Sequence, residues 1–252
     1  MMSRSARQLK EPIDDTPETT STTVFSSLRT VQAPALELPP ELKPNTRLKM
    51  DGLEFLALLP DDSIPVAFFD PQYRGVLEKL AYGNEGKERG RRRCALEQMS
   101  EAVIGKFVRG IAKALTPSGH LFLWVDKFHL CQGINEWRDG TGLEIVDMLT
   151  WDKGTFGMGY RTRRRAEHCI ILQKPPRKAK GVWKVHNIPD VVPEQVSQRE
   201  HPHAKPTGLQ GQLMAAVSHE GDFVIDPAAG SFSVLQAARE QRRNFLGCDL
   251  NG

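Results

Sequence analysis

Four consecutive residues, Asp70-Pro71-Gln72-Tyr73, combine a carboxylate, backbone carbonyls and an aromatic ring. The carboxylate and a carbonyl can accept hydrogen bonds from a planar amine or amide, and the ring offers a flat surface on which such a group can stack. The preceding residues 64–69 are apolar without polar alternation, which predicts a strand buried on both faces. Asp70 is then expected at the carboxyl end of a central strand, where open α/β sheets bind their ligands.

A second carboxylate also follows a short apolar run. Residues 223–226 predict a strand that ends at Asp226, residues 227–231 a glycine-containing turn, and the following residues a helix to about 243. Residues 244–249 predict another strand, which ends at Asp249. A strand, a glycine turn, a helix and a later acid are typical of Rossmann-type adenosine binding, in which the acid binds the ribose hydroxyls. An ordinary strand-to-helix turn explains the turn alone equally well.

The remaining patterns predict alternating helices and strands, and therefore an α/β fold. Helical spacing of apolar residues occurs over residues 53–59, 97–115, 128–137 and 209–219. Apolar runs predict strands over residues 120–125, 144–151 and 166–174. Trp124, inside the first of these runs, is expected in the core.

Basic residues are concentrated in two stretches. Residues 153–184 contain ten Lys or Arg and one acid, Glu167, and a glycine-bearing stretch from 74 to 93 ends in three arginines. Solvated surface explains both stretches, but next to an active site they can also contact phosphates. The residues predicted to bind DNA are Arg91, Arg92, Lys153, Arg161, Arg163, Arg164, Arg165, Arg177 and Lys178.

Composition sets the frame for these motifs. The 252 residues carry a net charge of +3, so an argument for nucleic-acid binding depends on where the basic residues lie. Residues 1–46 are polar and proline-rich, which predicts a flexible arm before a domain over 47–252. The four cysteines are isolated, which argues against a structural zinc site or a disulfide framework, and no metal site is predicted. With no apolar stretch of about 20 residues, a soluble protein of the cytoplasm without membrane contact is expected.

Together the motifs resemble the beta group of amino DNA methyltransferases. Asp70-Pro71-Gln72-Tyr73 is similar to that group's Asp-Pro-Pro-Tyr tetrapeptide, and residues 226–231 are similar to its cofactor turn. His203-Ala204-Lys205-Pro206, Trp151-Asp152-Lys153 and Glu167 extend the resemblance over residues 47–251. It implies an α/β, Rossmann-like methyltransferase fold with a mixed seven-stranded sheet and helices on both faces. It also implies S-adenosylmethionine as the cofactor.

The resemblance implies a role for each part of the chain. Residues 47–175 form a catalytic half, residues 153–200 a basic target-recognition region, and residues 201–252 a cofactor-binding half. The implied catalytic residues are Asp70, Pro71, Gln72 and Tyr73. The implied cofactor-binding residues are Asp51, Lys205, Pro206, Asp226, Pro227, Ala228, Gly230, Ser231 and Asp249. The implied partner is double-stranded DNA, with a homodimer and a cognate restriction endonuclease as further expectations.

Aspartate at position 70 favours adenine N6 over cytosine N4, because members with serine there usually modify cytosine. Three residues depart from the group's pattern: Gln72 replaces a proline, Phe232 a glycine, and Ala228 an aromatic residue. Four alternatives therefore stay open. They are methylation of cytosine N4, of RNA, or of a protein amide, and a DNA-binding protein that has lost catalysis.

Overall fold

The computed structural model describes residues 37–72, 99–157, 161–196 and 204–252. Tyr73, Arg91, Arg92, the basic stretch 74–93 and most of the predicted arm lie outside these residues. The described part of the chain contains eight strands and six helices. The strands are β1 (Leu48–Lys49), β2 (Ile64–Phe69), β3 (Leu115–Val125), β4 (Glu144–Asp152), β5 (Ala166–Gln173), β6 (Val191–Pro193), β7 (Phe223–Asp226) and β8 (Asn244–Asp249). The helices are α1 (Gly52–Leu58), α2 (Glu101–Ala114), α3 (Lys127–Gln132), α4 (Asn135–Arg138), α5 (Thr207–Val217) and α6 (Ser233–Glu240).

The eight strands form one mixed sheet in the order β1-β8-β7-β2-β3-β5-β4-β6. Strand β5 is antiparallel to both of its neighbours, and the other neighbouring pairs are parallel. The predicted α/β architecture, with a mixed sheet and helices on both faces, is confirmed. The predicted strand number was seven, and the short edge strands β1 and β6 were not predicted because two or three residues carry no readable alternation.

Two hydrophobic cores cover the two faces of the sheet. Ala67 and Phe69 of β2 face one core with helices α1 and α2, whereas Val66 and Phe68 face the other core with α5 and α6. Alternate residues of a strand point to opposite faces, so a run of six apolar residues is what a strand covered by helices on both sides requires.

Two helix predictions differ from the structure. The helix predicted over 128–137 is divided into α3 and α4 because Gly133 adopts φ +86, outside the helical region. The predicted helix after the second carboxylate begins at Ser233, and residues 227–232 form the turn that precedes it.

The packed domain begins before residue 47. Leu42 is 2% exposed and belongs to the core, and the backbone of Asn45 donates a hydrogen bond of 2.8 Å to the carbonyl of Phe245. The predicted boundary was therefore too late, because a proline-rich composition hides a single buried leucine. None of the described helices has the length and apolarity to cross a bilayer.

Candidate active site

The carboxylates of Asp70 and Asp226 lie close to each other at the edge of the sheet. Strands β2 and β7 are parallel neighbours, with Val66 opposite Val224 and Ala67 opposite Ile225. Their carboxyl ends are therefore adjacent, and Asp70 and Asp226 line one pocket. The predicted site residues that line this pocket are Asp70, Gln72, Lys205, Asp226, Ala228, Gly230 and Ser231.

Lys205 links the two halves of the pocket. Its ammonium donates to the Oδ2 atom of Asp70 and lies 3.2 Å from the Oε2 atom of Glu167. The side chain of Lys205 is only 10% exposed, and its Nζ atom lies 5.6 Å from the centre of the Trp124 ring. A buried cation between two carboxylates and an aromatic face is well compensated for its lost hydration.

This arrangement keeps the network charged. Burial alone would lower the pKa of Lys205, but the carboxylates of Asp70 and Glu167 raise it above its ordinary value. Burial likewise favours neutral Glu167, but Lys205 and Lys153 hold the pKa of that carboxyl below its ordinary value. Lys153 also donates to Glu167, so the ion pairs run continuously from Lys153 on the β4–β5 connection to Asp70.

The pKa of Asp226, unlike that of Glu167, is raised above its ordinary value. Asp226 is 5% exposed, and burial raises the pKa of its carboxyl to about 7, with the nearby Asp70 carboxylate adding to the shift. The backbone amide of Ala228 donates to its Oδ1 atom at 3.1 Å, and this bond and Lys205 offset only part of the shift. A buried carboxylate with a raised pKa favours the binding of a positively charged group beside it.

A second polar atom in this pocket points to a ligand. Gln210 is 1% exposed and lines the pocket, and its Oε1 atom accepts no hydrogen bond from the described residues. An unmet buried acceptor costs stability unless something binds to it. With Asp226, it gives the pocket two acceptors suited to a cationic hydrogen-bond donor.

The turn after β7 explains how the chain tolerates Phe232. This residue adopts φ +58, a left-handed conformation that costs a non-glycine residue about 1–2 kcal/mol. Its ring is 3% exposed and packs edge-to-face on Phe245 at 6.2 Å, so it points into the core and away from the pocket. Gly230 also has a positive φ of 49, and no atom lies within 4 Å of where its Cβ would be. The turn therefore stays open on its pocket side.

The two other predicted cofactor carboxylates lie at the neighbouring strand ends. Lys49 of β1 is opposite Asp249 at the end of β8, and Asp51 lies two residues after the end of β1. The Oδ1 atom of Asp51 caps α1 by accepting from the amides of Leu53 and Glu54 at 2.8 and 3.2 Å. Neither acid lines the pocket of Asp70 and Asp226, and Pro71, Pro206 and Pro227 do not line it either. Both acids are nevertheless at the same edge of the sheet as Asp226.

The basic residues predicted to bind DNA separate into two groups. Lys153, Arg161, Arg163, Arg164 and Arg165 lie in the connection between β4 and β5, which we call the β4–β5 hairpin (residues 153–165). This hairpin is at the Asp70 edge, because Val125 of β3 is opposite His168, near the start of β5. Arg161 and Arg163 are exposed, whereas Arg164 is partly buried and lies 5.9 Å from the Phe128 ring.

Arg177 and Lys178 lie at the opposite edge. They follow Gln173, which ends β5 opposite His120. Since a strand rises about 3.4 Å per residue, β5 separates them from the hairpin by roughly 24 Å. Arg177 forms an ion pair of 3.2 Å with Glu144. The structure therefore does not bring these two residues together with the active site.

Sequence reasoning missed three residues of this site, of which Trp124 and Gln210 line the pocket and Glu167 contacts the pocket residue Lys205. Glu167 pairs with Lys205, Trp124 contributes its ring beneath the ammonium, and Gln210 offers the unmet acceptor. Glu167 did carry a signal, since it is the one acid among ten basic residues between 153 and 184. Trp124 is 1% exposed, so its assignment to the core was confirmed even though its ring lines the pocket.

Comparison with solved structures places the fold in a known class. The PvuII DNA methyltransferase, described as cytosine-N4-specific, has a TM-score of 0.60 at 16% sequence identity, covering 82% of this chain and 84% of that one. The M1.HpyAVI complex with S-adenosylmethionine has a TM-score of 0.58 at 17% identity, covering 81% and 92%. The fold is that of the α/β methyltransferases.

Sequence comparison defines the family. The family profile N6_N4_Mtase, described as DNA methylase, matches residues 98–252. Type II methyltransferase M.HhaII of Haemophilus parahaemolyticus is 52% identical over 207 residues, which cover 82% of this chain and 91% of that protein. Type II methyltransferase M2.DpnII of Streptococcus pneumoniae is 23% identical, covering 79% and 82%. The chain belongs to the N6/N4 DNA methylase family, the amino DNA methyltransferases.

Proposed function

We propose that this protein transfers a methyl group from S-adenosylmethionine to the N6 atom of an adenine that has been rotated out of duplex DNA. The observation that carries the proposal is the shared pocket of Asp70 and Asp226 at adjacent strand ends. In this proposal Asp70 holds the amino group of the base, and Asp226 holds the positively charged methyl donor. Aspartate at position 70, by its resemblance to the Asp-Pro-Pro-Tyr group, supports adenine as the base.

The residues of the pocket fit S-adenosylmethionine as the methyl donor. Asp226 and the Oε1 atom of Gln210, which accepts no hydrogen bond from the described residues, suit the ammonium group of S-adenosylmethionine. The open turn at Gly230 and Ser231 leaves room for the methionine part of this compound. Asp249, at the end of the next strand, suits the ribose hydroxyls. When bound, S-adenosylmethionine supplies a methyl group on a positively charged sulfur. A relative in fold, M1.HpyAVI, has been solved as a complex with this compound.

Asp70 and the carbonyl of Pro71 then serve as acceptors for the two hydrogens of the amino group. The lone pair of an exocyclic nitrogen is delocalised into the base, so the nitrogen is a weak nucleophile. Holding both hydrogens orients the lone pair and stabilises the positive charge that grows on nitrogen as its bond to the methyl carbon forms and the carbon–sulfur bond breaks. The nitrogen finally loses one proton. Lys205 holds the Asp70 carboxylate in position for this task.

The base specificity can be read from the product. DNA methylated by the purified protein should be digested to nucleosides and analysed by mass spectrometry, with Asp70→Ala as the control. We expect N6-methyladenine in the digest of the wild-type reaction and unmodified nucleosides in that of the control. N4-methylcytosine in place of N6-methyladenine would overturn the adenine assignment and leave the DNA methyltransferase assignment intact.

The pKa of Asp226 predicts how cofactor affinity depends on pH. With a pKa of about 7 in the free protein, the carboxyl is mostly protonated at pH 6 and must ionise to pair with an ammonium. Affinity for S-adenosylmethionine should therefore rise by about tenfold per pH unit below pH 7 and level off above it. Titration calorimetry between pH 5.5 and 7.5 measures this slope.

Asp226→Asn is the matched control for that slope. It should bind more weakly and with little dependence on pH, since its amide does not titrate. An equal slope in the variant would assign the dependence to another group.

The proposal also assigns a DNA-binding surface and partners to the protein. The β4–β5 hairpin, with exposed Arg161 and Arg163, is the part of the basic region that we assign to the DNA phosphates. We assign the protein to a restriction–modification system in the cytoplasm, because M.HhaII is a type II methyltransferase. A homodimer and a cognate endonuclease belong to this proposal.

A further inference from the structure

The β4–β5 hairpin carries an exposed aromatic ring. Phe156 is 65% exposed, more than any other large hydrophobic residue in the described ranges. Five large hydrophobic residues are exposed in these ranges, and Phe156 is the one aromatic residue of the five. From its position we infer that Phe156 inserts into the DNA duplex and fills the space that the rotated base leaves. This inference rests on the proposed action on duplex DNA and adds the residue that opens the helix.

The hairpin holds Phe156 in a defined position. Arg165 donates two hydrogen bonds of 2.7 Å to the two oxygens of Asp152, which fixes its guanidinium in a planar, bidentate pair. That guanidinium lies 5.7 Å from the centre of the Phe156 ring. Two backbone amides add hydrogen bonds: that of Lys153 donates to the carbonyl of Arg165 at 3.0 Å, and that of Gly154 donates to the Oδ1 atom of Asp152 at 2.9 Å. The ring is thus presented on a supported turn.

The surroundings of Phe156 suit DNA in charge and in place. Lys153 and Arg165 are matched by Glu167 and Asp152, so the exposed cations left on the hairpin are Arg161 and Arg163 among its described residues. The hairpin joins two strands at the edge of the sheet where Asp70 lies, and Glu167 at the start of β5 connects through Lys205 to Asp70. An apolar ring flanked by cations, at the same edge of the sheet as Asp70, fits a polyanion whose stacked bases must be parted.

An inserted ring lowers the cost of rotating the base out, because it restores stacking on the neighbouring base pairs. Its contribution should therefore depend on whether the target base is paired. It should be large when the base must leave an intact pair and small when the partner base is absent. A residue that only contacts phosphates would matter equally in both cases.

The experiment compares two duplexes that contain the site methylated by the wild-type protein, as located by sequencing. One duplex is fully paired, and the other has an abasic position opposite the target base. On the paired duplex, Phe156→Ala should lower kcat/KM for tritium transfer by about 10- to 100-fold. On the abasic duplex it should remain within about threefold of the wild type. Phe156→Trp, which keeps a large ring, should retain most activity on both.

Ile145→Ala is the matched control, since Ile145 is 45% exposed on strand β4, which leads into the hairpin, but lies near the opposite end of that strand, across from Leu172. It should behave as the wild type on both duplexes. An equal loss for Phe156→Ala on both duplexes, or no loss on either, would overturn the inference. Methylation of cytosine by the wild type would refute the adenine proposal alone, because the abasic position can be set opposite either base.

Discussion

Replacing Asp70 with alanine is expected to lower kcat for methyl transfer by about a thousandfold or more, while the protein stays folded and binds S-adenosylmethionine. The loss follows from removing the acceptor that holds the amino group, since one preorganised hydrogen-bonding group contributes about 10²–10³ to kcat and Asp70 also carries a charge. The fold should persist because Lys205 keeps its contact with Glu167. Single-turnover transfer of tritium to DNA measures the chemical step.

Asp70→Asn separates the two contributions of this carboxylate. The amide oxygen still accepts a hydrogen bond, so the loss should be smaller than that of the alanine variant. Cofactor affinity from calorimetry should stay within a few-fold of the wild type in both variants. More than a tenth of the wild-type kcat in the alanine variant would mean that another group holds the base.

Replacing Lys205 with methionine should lower the free energy of unfolding by about 1.5–3 kcal/mol, because it removes the contacts of a buried ammonium with the carboxylates of Asp70 and Glu167. Glu167 keeps its contact with Lys153, so the contact with Asp70 accounts for most of the loss. Activity should also decrease, and the acid side of the pH–rate profile should move to higher pH, since the carboxylates bind protons more readily without the ammonium. Urea unfolding and a pH series of kcat measure the two effects.

Lys113→Met is the control for stability. Lys113 pairs with Asp61 at 3.1 Å, but both side chains are more than half exposed, so the change should cost less than about 1 kcal/mol. Adding Asp70→Asn to Lys205→Met should restore part of the lost stability, with a coupling of at least about 1 kcal/mol. Equal effects at Lys205 and Lys113 would show that the buried ammonium contributes no more than an exposed one.

The sequence predicted those parts of the fold that long apolar runs encode. The strands ending at Asp70 and Asp226 were predicted within a residue of their bounds, because burial on both faces leaves an uninterrupted apolar run. Helical spacing likewise located α1, α2 and α5. The two acids line one pocket because β2 and β7 are parallel neighbours, whose carboxyl ends lie at one edge of the sheet, and this pairing is not encoded in either apolar run.

What the sequence did not reveal depends on contacts between distant residues. The basic residues of 153–184 are close together in the sequence, but strand β5 lies between them and runs from one edge of the sheet to the other. Arg177 is therefore at the opposite edge from the β4–β5 hairpin. The direction of the Phe232 ring depends on the Phe245 side chain of a neighbouring strand. The partnership of Glu167 with Lys205 joins positions far apart in the chain, and no spacing rule connects them.

The pairing of β2 with β7 also has a consequence for folding. These strands are about 160 positions apart in the chain, and contacts between such distant segments form slowly because a long loop must close first. The amide protons of the two strands should therefore gain protection from hydrogen exchange late and together during refolding. Newly made protein should acquire catalytic competence only after these strands pair, because Asp70 and Asp226 line one pocket only when β2 and β7 are adjacent.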